Sequence, residues 1–419
     1  MKPGDPSVIS EWLARSQKVP LTVIAELNDP HEHPPCRYTD DATATLNDCD
    51  DVEVCLRHQA VLSLDKLLPH GSRIRDLTIC LYSSHPDWDE EDHDGVPRLL
   101  YHHFFTNTLP NLERLDFRAA HVEQTKYVIP IPGGLFSGGL PLLKELKYLG
   151  VTGGLTRAVK NLTSCEIGYW SGSAGPVELH SEQLQVFLNN NKTVKSLTIN
   201  ECEPFGYGPW AHVATPMEDL TFLSISCFSS GDFEIIFKFI HAPQFKDLDT
   251  VHLSLSSEIQ VVSTDSSGRT FQFEWYDGEE VRFQPLLHFG AVITTLRLDQ
   301  RIILMQFNRH PALLDFFRSL NAVQVLEFCG TIVDYVQDAL SAAGIFPGLK
   351  VIRVAVSGED CRRTLHLLAT ASRRRMEEGN PLTAIEPLLA EGEDGLDQSL
   401  HVEWEESYKA ENIQCFLSK

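Results

Sequence analysis

The residues with the composition of a chemical site are few and poorly arranged for one. His31-Glu32-His33 with Cys36 has the composition of a zinc set. It lacks a second ligand pair at useful spacing, and Pro34-Pro35 holds the stretch extended. The acidic run DWDEEDHD (Asp87–Asp94) lacks the central glycine and closing glutamate of a calcium loop, so it reads as a solvated surface loop. Gly172-Ser173-Ala174-Gly175 is not the G-x-S-x-G of a nucleophile elbow. The glycine-rich PIPGGLFSGGLP has no Gly-Lys-Ser/Thr ending to cradle a phosphate. The paired carboxylates Asp50/Asp51 and Glu90/Glu91 are neighbours on acidic surface, with nothing to drive their pKa values apart. His102-His103 beside Phe104-Phe105 reads as one packed and one solvated ring. The expectation is a chain that is not an enzyme, with no catalytic residue, no metal ligand and no cofactor. The alternative, a hydrolase or metal-dependent enzyme on an α/β scaffold, would need His, Asp and Cys to converge in one deep cleft.

What the sequence does repeat is a positioning element. Thr193–Cys202 reads apolar-x-x-apolar-x-apolar: Val194, Leu197, Ile199. Leu197 and Ile199 are two apart and share one face of a strand, while Ser196, Thr198 and Asn200 take the other. The phrase recurs at Ile74/Leu77/Ile79, Leu112/Leu115/Phe117, Leu143/Leu146/Tyr148 and Leu162/Cys165/Ile167. It continues at Leu220/Leu223/Ile225, Leu248/Val251/Leu253, Ile293/Leu296/Leu298, Val323/Leu326/Phe328 and Leu349/Ile352/Val354. Differences between successive first positions are 38, 31, 19, 32, 26, 28, 45, 30 and 26. Most lie near the ~20–30 residues of a leucine-rich repeat.

One strand-plus-return unit cannot bury its own apolar side, and stacked units bury each other's. The predicted fold class is therefore α/β: an irregular leucine-rich-repeat-like solenoid, a horseshoe with a parallel sheet on its concave side and helices or loops outside. A doubly wound α/β domain is the competing architecture. Its strands, covered on both faces, should read as apolar runs. Here the in-between positions are polar or charged, as at Arg114, Asp116, Glu145, Lys147, Arg297, Asp299, Glu327 and Arg353.

Three regions are expected: an N-terminal capping segment over 1–72, the solenoid over 73–388 and an acidic C-terminal tail or cap over 389–419. In the first, Val8–Ser16 reads as a helix with Ile9, Trp12 and Leu13 on one side, followed by a strand through Leu21 and Val23. Val52–Leu68 reads as an amphipathic helix ended by Pro69 and Gly71. Return helices are expected over Leu179–Asn189, Phe233–His241 and Leu313–Leu320, and a longer one over Asp360–Glu378 stopped by Gly379. Near 257–277, two alternating stretches joined by Asp265–Gly268 read as an inserted hairpin packed against the stack. Its aromatic row, Phe271, Phe273 and Trp275, reads first as packing and second as a binding surface. Leu382–Leu388 reads as a degenerate last strand whose Pro387 discourages further pairing, with one more edge strand at His401–Trp404.

The totals narrow the partners. There are 58 acidic and 35 basic residues, a net charge of −23, which repels phosphate backbones and argues against nucleic acid. Arg373–Arg375 is the best local basic patch and also fits the cationic last turn of a helix. No apolar run reaches the ~18 residues of a membrane span. The opening MKPGDPSVISEWLARS has no apolar signal core, so a cytoplasmic or nuclear protein is expected. The ten cysteines are scattered without a C-x-x-C pair, as in a reducing compartment.

Several phrases resemble a known family. LPNLERLDF (Leu109–Phe117), LFSGGLPLLKELKYLGV (Leu135–Val151), LHSEQLQVFLNNNKTVKSLTINEC (Leu179–Cys202) and RRRMEEGNPLTAI (Arg373–Ile385) are similar to F-box proteins of mushroom-type fungi that carry degenerate leucine-rich repeats. ISEWLARSQKVPLTV (Ile9–Val23) resembles the segment that follows the F-box there. The resemblance implies recruitment of a protein substrate by the repeat body, and docking of the F-box on the Skp-type adaptor of a cullin ubiquitin ligase. Only MKPGDPSV precedes Ile9, so adaptor docking is expected only if an F-box stands upstream. The expected partner is a protein on the concave face. The candidate contact residues are Glu145, Lys147, Ser196, Thr198, Asn200, Phe222, Ser224, Thr250, His252, Arg297 and Asp299.

Overall fold

The structure is a computed structural model. It describes residues 6–28, 66–83, 107–121, 129–130, 140–152, 159–168, 177–205, 214–227, 229–242, 250–255, 259–264, 267–275, 293–299, 311–329, 340, 344–356, 361–389 and 414–415. These form a mixed α/β fold with few helices, and the strands pair mostly in parallel. The chain divides into two compact units, Met1–Leu220 with Ile235–Ala242, and Thr221–Glu234 with Pro243–Lys419.

In the first unit six strands pair in parallel and in chain order: β1 (Leu21–Asn28), β2 (Ile74–Ser83), β3 (Arg114–His121), β5 (Glu145–Leu149), β7 (Ser164–Gly168) and β9 (Ser196–Asn200). Short parallel pairs join β4 (Ile129–Pro130) to β6 (Val151–Thr152), β8 (Val177–His180) to β10 (Cys202–Phe205) and β11 (Thr215–Pro216) to β13 (Ile240–His241). Helix α1 (Pro6–Ser16) precedes β1, and α2 (Ser181–Asn190) links β8 to β9.

The second unit holds β12 (Phe222–Cys227), β14 (Thr250–Leu255), β15 (Ile259–Thr264), β16 (Thr270–Trp275), β17 (Thr295–Asp299), β18 (Val325–Cys329), β19 (Val351–Val356), β20 (Ala384–Leu389) and β21 (Gln414–Cys415). Helix α3 is Ser230–Lys238, capped by Ser229, whose Oγ accepts from the Asp232 N–H at 3.1 Å. Helices α4 (Pro311–Ser319) and α5 (Cys361–Glu377) fill later returns.

The register explains the core. Leu77, Leu115, Leu146, Cys165 and Leu197 are direct partners across the first unit, as are Ile79, Phe117, Tyr148, Ile167 and Ile199. In the second, Val251, Leu296, Leu326, Ile352 and Ile385 align in the same way. In nine of the ten phrases all three apolar residues are at most 2% exposed. Burying each such side chain is worth about 1.5–3 kcal/mol before the entropy of ordering it. In the tenth, Val251 and Leu253 lie on β14, Leu248 lies outside the described residues, and none of the three side chains is described.

The structure lengthens the phrase by three residues. Leu109, Leu140, Met217, Leu320 and Phe346 are buried ahead of its first position, and a hydrogen bond closes each turn back to them. Each strand then enters alike, the N–H groups of Glu113, Lys144, Thr163 and Lys195 donating in turn to the carbonyls of Arg75, Glu113, Lys144 and Thr163. At the far end of β7, Gly168 has φ +123°, and a Cβ there would stand 1.9 Å from the Asn200 carbonyl oxygen. Only glycine permits this approach.

Three expectations differ from the structure. Leu13 is buried but Trp12 is 60% exposed, because the buried stripe of α1 is too narrow to include the residue 100° away. The inserted hairpin does not pack onto the stack. Its strands lie within the sheet, β16 parallel to β12, β15 antiparallel to β16, and β14 antiparallel to β15. Phe271 and Phe273 fill the core positions beside Leu223 and Ile225, and Phe273 meets Phe233 edge-on at 5.2 Å. Nor is β20 the last strand, because β21 pairs with Ala384–Ile385. That pairing stops short of Pro387, which has no N–H to give.

The helix at Val52–Leu68 lies outside the described residues up to 65, and so do the edge strand at His401–Trp404 and the acidic stretch Glu391–Asp397. Also outside are His31, His33, Cys36, Asp50/Asp51, the run from Asp87 to Asp94, His102-His103 and Gly172–Gly175. Among the described residues, no helix is long and apolar enough to cross a membrane.

Candidate functional site

Alternation along each strand turns every second side chain away from the core. In the first unit this produces two cross-strand rows. One runs Asp76, Arg114, Glu145, Ser164, Ser196, and the other Thr78, Asp116, Lys147, Glu166, Thr198. Of the candidate contact residues, Glu145 and Lys147 are exposed, and Ser196, Thr198 and Asn200 are half-buried. The structure therefore brings these five onto one face.

The charges on that face are mostly paired. Asp76 accepts from Arg114 Nε at 2.6 Å and Nη2 at 3.3 Å, and from Thr22 Oγ1 at 3.0 Å. Asp116 takes a two-pronged bond from Arg118 on its own strand. Lys147 Nζ lies 2.9 Å from Glu166 Oε2, and Asn200 Nδ2 donates to Glu166 Oε1 at 3.3 Å. The hydrogen bond to Asp76 raises the Arg114 guanidinium above its ordinary value, and that to Asp116 raises Arg118. Forked guanidinium–carboxylate bonds fix geometry as well as charge.

The second unit repeats the device. Arg297, Glu327, Arg353 and Glu386 are successive partners across β17 to β20. Arg353 donates through Nη1 to Glu327 at 2.8 Å and through Nε to Glu386 at 2.7 Å, and both bonds raise its pKa. Arg297 approaches Glu327 at 3.8 Å. Phe222 and Ser224 on β12 are half-buried. Thr250 and His252 lie on β14 and Asp299 ends β17, but these three side chains are outside the described residues.

Sequence reasoning missed Asp76, Arg118, Glu166 and Glu386 on these faces. It also left Arg114, Asp116, Glu327 and Arg353 among the in-between residues without placing them with the contacts. The signal was present, since each is next in sequence to an apolar strand residue that is buried, as Asp76 is to Leu77, Arg118 to Phe117, Glu166 to Cys165 and Glu386 to Ile385.

Other expected features dissolve into structure. In the run Arg373–Arg375 the first two cations are exposed, while Arg375 is 2% exposed. Its Nη1 and Nη2 donate to the carbonyls of Ile345 and Phe346 at 3.0 and 2.7 Å. Burial lowers the pKa of this guanidinium. Phe346 has φ +45°, so Arg375 secures a strained turn.

Cys165 and Cys202 are fully buried thiols, and burial pushes both well up. A thiol held neutral is a poor nucleophile and a poor ligand. Among the described residues, no group of three or more His, Cys, Asp or Glu side chains is placed to hold a metal ion. No protein-family model matches this chain, and no characterised protein is significantly similar to it.

Proposed function

We propose that this chain is a non-enzymatic protein-recognition scaffold. In this reading it is an irregular leucine-rich-repeat-like solenoid that meets its partner on a parallel, concave sheet face. One observation carries the reading. The apolar positions of nine phrases are sealed in the core while the positions between them hold an ordered field of paired charges, hydroxyls and amides. An ion-paired, preorganised polar face suits selective recognition, because an incoming surface must match fixed charges of both signs. The resemblance to fungal F-box proteins extends the reading to the substrate-recognition part of a ubiquitin-ligase receptor, coupled through an F-box to a Skp-type adaptor. A stand-alone scaffold without ligase coupling is the alternative.

Two experiments test these layers. The first captures partners with the wild-type chain and with a face variant, Lys147→Glu/Thr198→Arg/Arg297→Glu, that melts like the wild type. Partners lost by the variant support recognition by the strands, and partners retained in full refute it. The second asks whether the full-length gene product co-purifies with the Skp-type adaptor. A product that carries no F-box and leaves the adaptor unbound selects the stand-alone scaffold.

A further inference from the structure

Among the described residues of the first unit's two cross-strand rows, with Arg118 beside them, carboxylates outnumber cations: Asp76, Asp116, Glu145 and Glu166 stand against Arg114, Arg118 and Lys147. Each cation is already held by a carboxylate, Arg114 by Asp76, Arg118 by Asp116 and Lys147 by Glu166. Glu145 is the acid left over. It is exposed, it sits mid-row between Arg114 and Ser164, and its carboxylate bonds to no described residue, acting on Arg114 only through its field.

Along these two rows an anionic partner would have to break one of the three pairs before meeting a cation, while Arg75 and Lys144 at the strand entries share Glu113. A cationic partner meets Glu145 directly, with the hydroxyls of Ser164 and Ser196 next in the row. The net charge of −23 adds a field that draws such a partner in.

We propose that this face takes a protein segment bearing lysine or arginine, and that Glu145 receives its cation. The proposal rests on the reading of the face as a protein-recognition surface and adds the partner's chemistry. A lone exposed carboxylate among paired ones is the position where a charge-assisted bond forms without a competing internal partner.

The test uses the intact chain to select short peptides from a random display library. Selected peptides are synthesised with a fluorescent label and titrated by anisotropy against wild type, Glu145→Gln and Glu182→Gln. Glu182 is an exposed acid on α2, so its variant controls for general charge. The expected peptides are enriched in Lys or Arg. Their affinity falls about tenfold or more in Glu145→Gln and less than about twofold in Glu182→Gln. Equal losses in the two variants, peptides without cations, or no peptide sensitive to Glu145 overturn the proposal. Peptides that lose affinity with Thr198→Arg but not with Glu145→Gln refute the cation preference alone and leave recognition by the strand face standing.

Discussion

Leu197 and Thr198 adjoin in sequence and occupy opposite environments: Leu197 is sealed, and Thr198 stands half-buried on the polar side. A charge at the first position has no partner, so Leu197→Asp is expected to cost about 3 kcal/mol or more. Arg297 is exposed, and Arg297→Ala is expected to change stability by less than about 1 kcal/mol. Urea melts measure both, and equal destabilisation would refute the facing assigned to the strands. This facing was legible in the sequence because a period of two leaves no freedom once one face is apolar. Asn191 was not legible. It takes a core position that apolar residues hold ahead of other strands, and it is fully buried. Its Oδ1 accepts from the Leu162 N–H at 3.0 Å, and its Nδ2 donates to the carbonyls of Phe187 and Val159 at 2.8 and 3.3 Å. Asparagine reads as a turn residue until the strands on either side are placed. Asn191→Leu restores the apolar pattern yet strands three backbone groups, and is expected to cost about 2–4 kcal/mol. A neutral effect in the same melts would show that these bonds contribute nothing net.

At the scale of elements, the hairpin β15–β16 separates pattern from pairing. Its alternation and turn were readable, but its neighbours were not, because strand order depends on contacts distant in sequence. Since β16 pairs with β12 and β15 with β14, removing both strands leaves two unpaired edges and deletes Phe271 and Phe273 from the core. Replacing 259–275 by a short linker is expected to abolish cooperative unfolding of the second unit and to unprotect the amides of β12 and β14 in hydrogen exchange. A hairpin merely resting on the sheet would leave both unchanged. The longer helix α5 shows the same division. Its inward stripe, Thr364, Leu367, Leu368, Ala371, Ser372 and Arg375, follows helical spacing, yet that spacing gave no sign that an arginine would close it.

For the whole molecule, buried neutral acids link stability to alkaline pH. Cys165 and Cys202 ordinarily titrate at 9.0 and Tyr148 at 10.0, and burial raises all three in the folded state. The unfolded chain loses the two thiol protons above pH 9.0 and the Tyr148 proton above pH 10.0, before the folded chain does, so the stability each confers is intact below its ordinary value and falls as pH rises above it. Each group contributes up to ~1.4 kcal/mol per pH unit in that range. Cys165→Ala/Cys202→Ala is expected to be less stable at neutral pH but to lose stability less steeply above pH 9.0. Urea midpoints measured across that interval check this, and parallel slopes would contradict it.

The division of the nine described phrase strands into a sealed and an open side is tested most directly by thiol labelling of single-cysteine substitutions in the native chain, resolved by peptide mass spectrometry. Lys147→Cys, Thr198→Cys and Arg297→Cys should react at rates near those of exposed thiols. Cys165 and Cys202 should react only as fast as the protein opens. Protection at Thr198→Cys equal to that at Cys165, or rapid labelling of Cys165 in the folded protein, would contradict it.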